Sequence, residues 1–420
     1  MSNEPELSYS VKPEELVVDL DHVDIVVGAL RRLFPRPDNK ASPMAGGPEV
    51  VVKKTDDRLG LALLTVPVPP VELDDLLQEL RRQFGARYGG WVPVIGKNRT
   101  IDGVIGAGTS KPMSASELLG TSKPMTWVDP SGLTGAVSLS SFIQPGGEGT
   151  TGSGVTVGVL DTPFIAHPQL VAGHTIHAES PSVPSVPSVP SVAPGGPVQP
   201  KAGHGTFVVS RILARAPGAE LFVCGTLNGD TGQADNWDVA VAMLHLADRV
   251  DILNVSLGCH TADGEPPLIF SRAVERLNPD VLVVAAAGNH AYQDGWGHGR
   301  TSRSPTWPAA LPGVVAVGAV DDAGQPAVFS PLLPWVRCTA PGVDVPGAYI
   351  FGLVTVHDEN GNLVDKEFHG HATWSGTSFA AATVSGAVAT AMTGGTDPRR
   401  ALDRVLADPA SLVRAHAEPS

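Results

Sequence analysis

Apolar residues change their spacing once along this chain, and the change divides it. Upstream, residues 16–108 mix short apolar runs with helical periodicity and read as a small domain of their own. Leu16–Leu20 predicts a strand, and Val23–Phe34 carries apolar residues at helical spacing until Pro35 stops it. Val50–Lys54 and Leu59–Val66 predict two strands joined by the turn Thr55–Arg58. Pro69–Phe84 predicts a helix, with proline at its start, acids in its first turns and Gly85 beyond its end. Trp91–Ile95 predicts a last strand. The order β-α-β-β-α-β is the ferredoxin-like arrangement, which by itself assigns no function.

From Gly154 the apolar runs become nearly continuous. Val155–Leu160, Glu220–Gly225, Ile252–Leu257, Val281–Ala287 and Val314–Val317 predict buried strands, with helices at Trp237–Leu246 and Pro267–Leu277. Continuous apolar strands alternating with helices predict an α/β fold, a doubly wound and mostly parallel sheet covered on both faces. Such sheets bind ligands beyond the carboxyl ends of their strands. Ser375-Gly376-Thr377-Ser378 then runs into Phe379–Ala389, small and β-branched residues that suit a buried, closely packed helix. Asp397–Val413 predicts a terminal helix with Pro398 at its first position, within a C-terminal segment 396–420.

The remainder punctuates these regions. Residues 109–150 read as a linker in which Thr109-Ser110-Lys111-Pro112-Met113 recurs as Thr121-Ser122-Lys123-Pro124-Met125, too few copies for a repeat architecture. Pro181–Val192 holds four copies of Pro-Ser-Val, and prolines at that period predict an extended surface loop. With net charge −14 and no long basic run, the chain is a poor partner for nucleic acid or an anionic membrane. Met1–Val17 is polar and acidic, unlike a signal peptide, and no apolar stretch reaches membrane-spanning length. Cys224, Cys259 and Cys338 are odd in number and far apart, which speaks against a disulfide framework and for the cytoplasm.

Candidate chemistry gathers at strand exits and helix entries. Asp161 ends a buried strand, His204 opens an apolar helix between Gly203 and Gly205, Asn289 ends another strand, and Ser378 opens the small-residue helix. Separately, each reads most simply as a turn former, a satisfied polar group or a cap. Jointly, their chemistry is complementary. A serine attacks a carbonyl once a base takes its proton, and imidazole suits that task near neutral pH. His204 would be the base, Asp161 would hold its tautomer, and the Asn289 amide with the Ser378 N–H would donate to the oxyanion. His167, His174 and His177 offer no carboxylate or cysteine set for a metal, and carboxylate spacing marks no calcium loop. No cofactor is expected, and calcium dependence stays open.

In that chain order, Val159-Leu160-Asp161-Thr162, Gly203-His204-Gly205-Thr206, Ala285-Ala286-Ala287-Gly288-Asn289 and Ser375-Gly376-Thr377-Ser378-Phe379-Ala380 resemble the motifs of the subtilase family of serine peptidases. His167-Pro168-Gln169-Leu170, Asn254–Gly258, Trp307–Ala319, Phe329-Ser330 and Ala340–Val343 also fit that family's order, so the likeness spans residues 151–395. Pro163, Phe207, Phe379 and Ala382 depart from the usual residues without removing a catalytic atom. The resemblance implies a serine endopeptidase whose peptide substrate adds as a strand along Ser256, Leu257 and Gly258. Ala287 and Gly288 would line the pocket for the residue before the scissile bond, and small lining residues predict room for a large apolar side chain. It also implies that residues 16–108 are a propeptide-like inhibitor, with a permanently attached accessory domain as the other reading. Sedolisin-type peptidases place a glutamate where His204 stands. The rival from another class is an inactive subtilase fold serving as a peptide-binding scaffold.

Overall fold

The computed structural model describes residues 11–34, 50–66, 73–103, 125–126, 151–179, 196–261, 263–291, 301–357, 362–392 and 395–416. The Pro-Ser-Val insert, the first Thr-Ser-Lys-Pro-Met copy and most of the linker lie outside them, as does the polar amino terminus up to residue 10. Among the described residues no helix is long and apolar enough to cross a membrane.

The amino-terminal elements are β1 (Val11–Asp19), α1 (Val23–Leu33), β2 (Val51–Asp56), β3 (Leu61–Thr65), α2 (Leu73–Arg87) and β4 (Ile95–Gly103). The strands pair antiparallel in the order β4-β1-β3-β2. Successive strand residues point to opposite faces, and here both faces are covered. Leu16, Val18 and Leu64 pack beneath the two helices with Leu30, Leu77 and Phe84. Val17, Leu61 and Leu63 turn the other way, into the core of the following region. That double burial explains why β3 reads as an unbroken apolar run. The last strand begins where Trp91–Ile95 was expected to end. Its residues are mostly polar because main-chain pairing, not its side chains, holds it at its far end. The helix expected from Pro69 is described from Leu73 and runs on to Arg87.

The linker contributes β5 (Met125–Thr126). Beyond it come β6 (Thr156–Asp161), α3 (Pro168–Val171), β7 (Ile176–Glu179), α4 (His204–Leu213), β8 (Glu220–Gly225), β9 (Gln233–Asp235) and α5 (Asn236–Ala247). Then follow β10 (Ile252–Val255), β11 (Leu257–Gly258), α6 (Leu268–Arg276), β12 (Leu282–Ala286), β13 (Val314–Val320) and β14 (Cys338–Pro341). A long hairpin, β15 (Val345–His357) and β16 (Leu363–Trp374), leads into α7 (Thr377–Ala391), α8 (Pro398–Ala407) and β17 (Arg414–Ala415). The main sheet runs β17-β14-β13-β12-β10-β6-β8-β7, parallel throughout except for the antiparallel edge strand β17. The terminal helix is shorter than its pattern suggested. Asp397 caps it by accepting from the Arg399 and Arg400 amides, and it ends before Asp408.

α4 and α7 pack against one face of this sheet. Small residues let them approach: an added Cβ on Gly386 of α7 would lie 2.7 Å from the Ile212 carbonyl oxygen of α4. On the other face, α5 and α6 bring Trp237, Met243 and Phe270 against Val17, Leu61, Leu63 and Ile101 of the amino-terminal sheet.

Candidate active site

Three elements meet at the carboxyl end of the sheet. β6 delivers Asp161, which is fully buried and accepts a hydrogen bond from the Thr162 amide at 2.6 Å. α4 begins at His204, whose Nδ1 donates to Asp161 Oδ1 at 2.7 Å. That bond leaves Nε2 as the ring nitrogen turned away from the carboxylate. The approach is close because Gly205 follows: its N–H donates to Thr162 Oγ1 at 2.9 Å, and a Cβ there would lie 2.2 Å from the Thr162 carbonyl oxygen. Thr206 pins the loop beyond Asp161, accepting from the Ile165 amide at 2.9 Å and donating to its carbonyl at 3.0 Å.

Ser378 is the second residue of α7, where helical amides have no intrahelical acceptor. Asn289 reaches the same turn. Its Oδ1 accepts from the Thr377 amide at 2.9 Å and the Thr377 hydroxyl at 3.0 Å. The Gly288 amide donates to that hydroxyl at 3.1 Å. Asn289 Nδ2 lies 3.5 Å from where a Cβ of Gly376 would stand. Helix entry and strand end are thereby locked together. β10 is tied in as well: Ser385 Oγ donates to Asn254 Oδ1 at 3.0 Å, and Asn254 Nδ2 donates to Ser256 Oγ at 3.0 Å.

Aromatic rings close the space around the imidazole. Phe379, next to Ser378, and Trp374 each have a ring centroid 5.3 Å from that of His204. Phe207 and Phe379, two departures from the resembled motifs, meet at a tilt of 53° with ring centroids 4.6 Å apart. They replace polar or smaller groups together, as one buried apolar contact.

β4 lies between β9 and β11, pairing antiparallel with both. Leu257 and Gly258 pair with Gly103 and Asp102, while Thr100, Ile101 and Asp102 pair with Asp235, Ala234 and Gln233. On the other side, Met125 and Thr126 pair with Thr373 and Ala372 of the strand that leads into Ser375–Ser378.

Of the residues expected from sequence, Asp161 and His204 are hydrogen-bonded, and Asn289 joins the turn that carries Ser378. Ser256 lies beneath that turn, Leu257 and Gly258 hold a strand, and Ala287 and Gly288 form the wall before Asn289. Thr306 and His290 stand against Gly288, with Thr306 Oγ1 2.6 Å and His290 Nδ1 2.7 Å from where its Cβ would be. Thr162, Thr206 and Thr377 were also missed as orienting groups, although each adjoins a motif residue. His167, His174 and His177 do not converge: they bond the Gly370 carbonyl, the Pro217 carbonyl and Glu220 respectively. Among the described residues no cluster of three or more His, Cys, Asp or Glu could hold a metal ion.

A family profile, Peptidase_S8 (subtilase family), matches residues 152–399. A thermostable alkaline protease from Halalkalibacterium halodurans is 30% identical over 225 residues, covering 51% of this chain and 54% of that protein. Subtilisin NAT from Bacillus subtilis subsp. natto is 28% identical over 209 residues, covering 47% and 49%. Subtilisin Savinase from Lederbergia lenta is 32% identical over 212 residues, covering 48% and 68%. The chain thus spans about half the length of the first two relatives. Among solved structures, fervidolysin from Fervidobacterium pennivorans superposes with a TM-score of 0.57 at 20% identity, over 96% of this chain and 58% of that one. That likeness speaks for the fold alone.

Proposed function

The chain belongs to the subtilase family, and from that premise we propose that it is a serine endopeptidase whose amino-terminal domain holds its cleft closed. The observation that carries the reading is the 2.7 Å bond from His204 to Asp161 at the rim that also bears Ser378 and Asn289. In this reading, His204 Nε2 takes the Ser378 hydroxyl proton as Oγ attacks the scissile carbonyl. Asp161 steadies the imidazolium that forms. The carbonyl oxygen becomes an oxyanion, and the Ser378 N–H and Asn289 Nδ2 donate to it. As the tetrahedral species collapses, the proton on His204 passes to the leaving amine. Water, activated by the same imidazole, then releases the acid and restores Ser378.

Substrate binding follows from the pairing of β4. A peptide lying along Ser256, Leu257 and Gly258 would be held through its main chain, with Ala287 and Gly288 beside the residue before the scissile bond. The chain's own β4 pairs with Leu257 and Gly258, and its β5 pairs with the strand that leads into the Ser378 turn. Both pairings support an inhibitory role for the amino-terminal domain. Cytoplasmic placement is proposed on the buried cysteines: Cys224, Cys259 and Cys338 form no disulfide.

A fluorophosphonate probe tests the chemistry. Labelling that vanishes in Ser378→Ala supports the peptidase, while an unlabelled, folded wild-type chain would mean a peptide-binding scaffold instead. Residues 135–420 expressed alone test the inhibition. That fragment should hydrolyse peptides faster than the full chain, and equal rates from a folded fragment would rule the inhibitory role out.

A further inference from the structure

The floor of the cleft beside Ser378 is built from residues outside the motifs. A peptide lying along β11 as β4 does, and continuing toward Ser378, sends its next side chain between two strand ends, Ser256–Gly258 and Ala287–Asn289. Each strand end contributes a glycine to this slot. The open side of both glycines is taken by the same residue. A Cβ built on Gly258 would lie 2.7 Å from Thr306 Cγ2, and one built on Gly288 would lie 2.6 Å from Thr306 Oγ1. Thr306 is 1% exposed and His290, behind Gly288, is 3% exposed.

This floor is fixed. Cys259 and Trp307 exchange two main-chain hydrogen bonds, both 2.9 Å, which clamp the residue after Thr306 to the strand carrying Gly258. His260 Nδ1 bonds the Pro305 carbonyl at 3.0 Å, and His290 Nε2 bonds the Ser304 carbonyl at 2.8 Å. Trp307 Nε1 donates to Thr261 Oγ1 at 3.2 Å. The two imidazoles pack edge to face, 4.3 Å between centroids. For Thr306 to yield to a large side chain, several of these bonds would break together, because packed interiors give little at single points.

We propose that Thr306, backed by His290, sets the substrate preference of this protease: the residue before the scissile bond is small and uncharged, such as alanine or serine. The inference rests on the peptidase reading above and reverses the sequence expectation of a large apolar residue there. A pocket separates side chains differing by one methylene by roughly 10- to 200-fold, so leucine and phenylalanine should be disfavoured by at least about tenfold.

The test uses internally quenched peptides, identical except for alanine, serine, leucine, phenylalanine or aspartate before the scissile bond, on the full chain. Labelled Ser378 counts the active sites. Alanine and serine peptides should show kcat/KM at least about tenfold above the leucine and phenylalanine peptides. Thr306→Gly should raise the leucine-to-alanine ratio by about tenfold or more, and Thr306→Ser, the milder change, should raise it by less. Leucine, phenylalanine or aspartate peptides cut as well as alanine by the wild-type chain would overturn the proposal, with Ser378 labelling still upholding the peptidase. A folded Thr306→Gly protein with an unchanged ratio would overturn it too. Neither labelling nor cleavage would bring down both readings together.

Discussion

At the scale of single residues, the site depends on positions where nothing larger fits. Gly205 is the sharpest case, since its missing Cβ lets α4 start against the Thr162 carbonyl. In Gly205→Ala that Cβ, 2.2 Å from a backbone oxygen, must push His204 away from Asp161. Overpacking of this kind costs about 1–3 kcal/mol. Thermal unfolding should register that loss, and, if His204 is the base as proposed, kcat/KM should fall by far more than KM changes, because the proposed base is displaced while the residues proposed to bind substrate are not. His167 makes a different prediction. Burial, with the neighbouring His371, lowers its pKa from 6.5 to about 4, against the raising effect of its bond to the Gly370 carbonyl. The folded chain therefore keeps this ring neutral where the unfolded chain protonates it. Stability should be flat above about pH 6.5 and should fall between there and pH 4, by up to about 3 kcal/mol. Urea midpoints at pH 7 and pH 4.5 check this: His167→Gln should narrow the gap between them. An unchanged gap would remove His167 as the cause.

At the scale of elements, α4 and α7 owe their contact to residues with almost no side chain. Gly386 faces Ile212 of α4 and Arg215 just beyond its end, and an added Cβ would come within 2.7 Å of each. Gly28 sits in α1 with nothing nearer than 3.8 Å, the end of the flexible Arg32 side chain. The same substitution should then act in opposite directions. Gly386→Ala should destabilise by about 1–3 kcal/mol through overpacking, whereas Gly28→Ala should stabilise by up to about 1 kcal/mol through helix propensity. Paired denaturation curves decide it, and a stabilised Gly386→Ala would show that the helices can separate freely. The elements also show what could be read from the chain. The strand ending at Asp161, the strand leading to Asn289 and the helices begun at His204 and Thr377-Ser378 were legible because buried parallel strands are apolar throughout. β16 was not, because its inward positions include Gly370 and Ala372 between Phe368 and Trp374, so small residues hide the alternation. β4 was misplaced for the opposite reason, its stability coming from main-chain partners that are distant in sequence. Thr306 carried no local signal at all: its role exists only because Gly258 and Gly288 converge on it.

At the scale of the molecule, the amino-terminal sheet is joined to the catalytic region by contacts of unequal weight. Arg58 and Asp248 pair at 3.0 Å with both side chains about half exposed, and exposed pairs contribute little. Arg272 and Asp19 pair at 2.8 Å with both mostly covered. Burial alone would raise the Asp19 pKa, but hydrogen bonds from Arg272 and the Asp21 amide outweigh it and leave the value below 3.8. A carboxylate lowered in this way stabilises the docked state above the ordinary aspartate range, and that contribution disappears as pH falls through the lowered value. Protonation of Asp19 therefore cannot release the domain near neutral pH. Apolar burial carries the rest, and Ile101 of β4 is fully buried within the core that includes Trp237 and Phe270. If the amino-terminal domain blocks the cleft, Ile101→Ala should increase peptide hydrolysis by the full chain by about tenfold or more, given that truncating a buried Ile costs about 2–5 kcal/mol. Arg272→Ala should act in the same direction more weakly, and Arg58→Ala should leave the rate within error. Rates that ignore Ile101 while residues 135–420 alone are faster would place the restraint in the linker. A rate that rises with Arg58→Ala as much as with Ile101→Ala would mean that the docked state is held by charge and not by its apolar face.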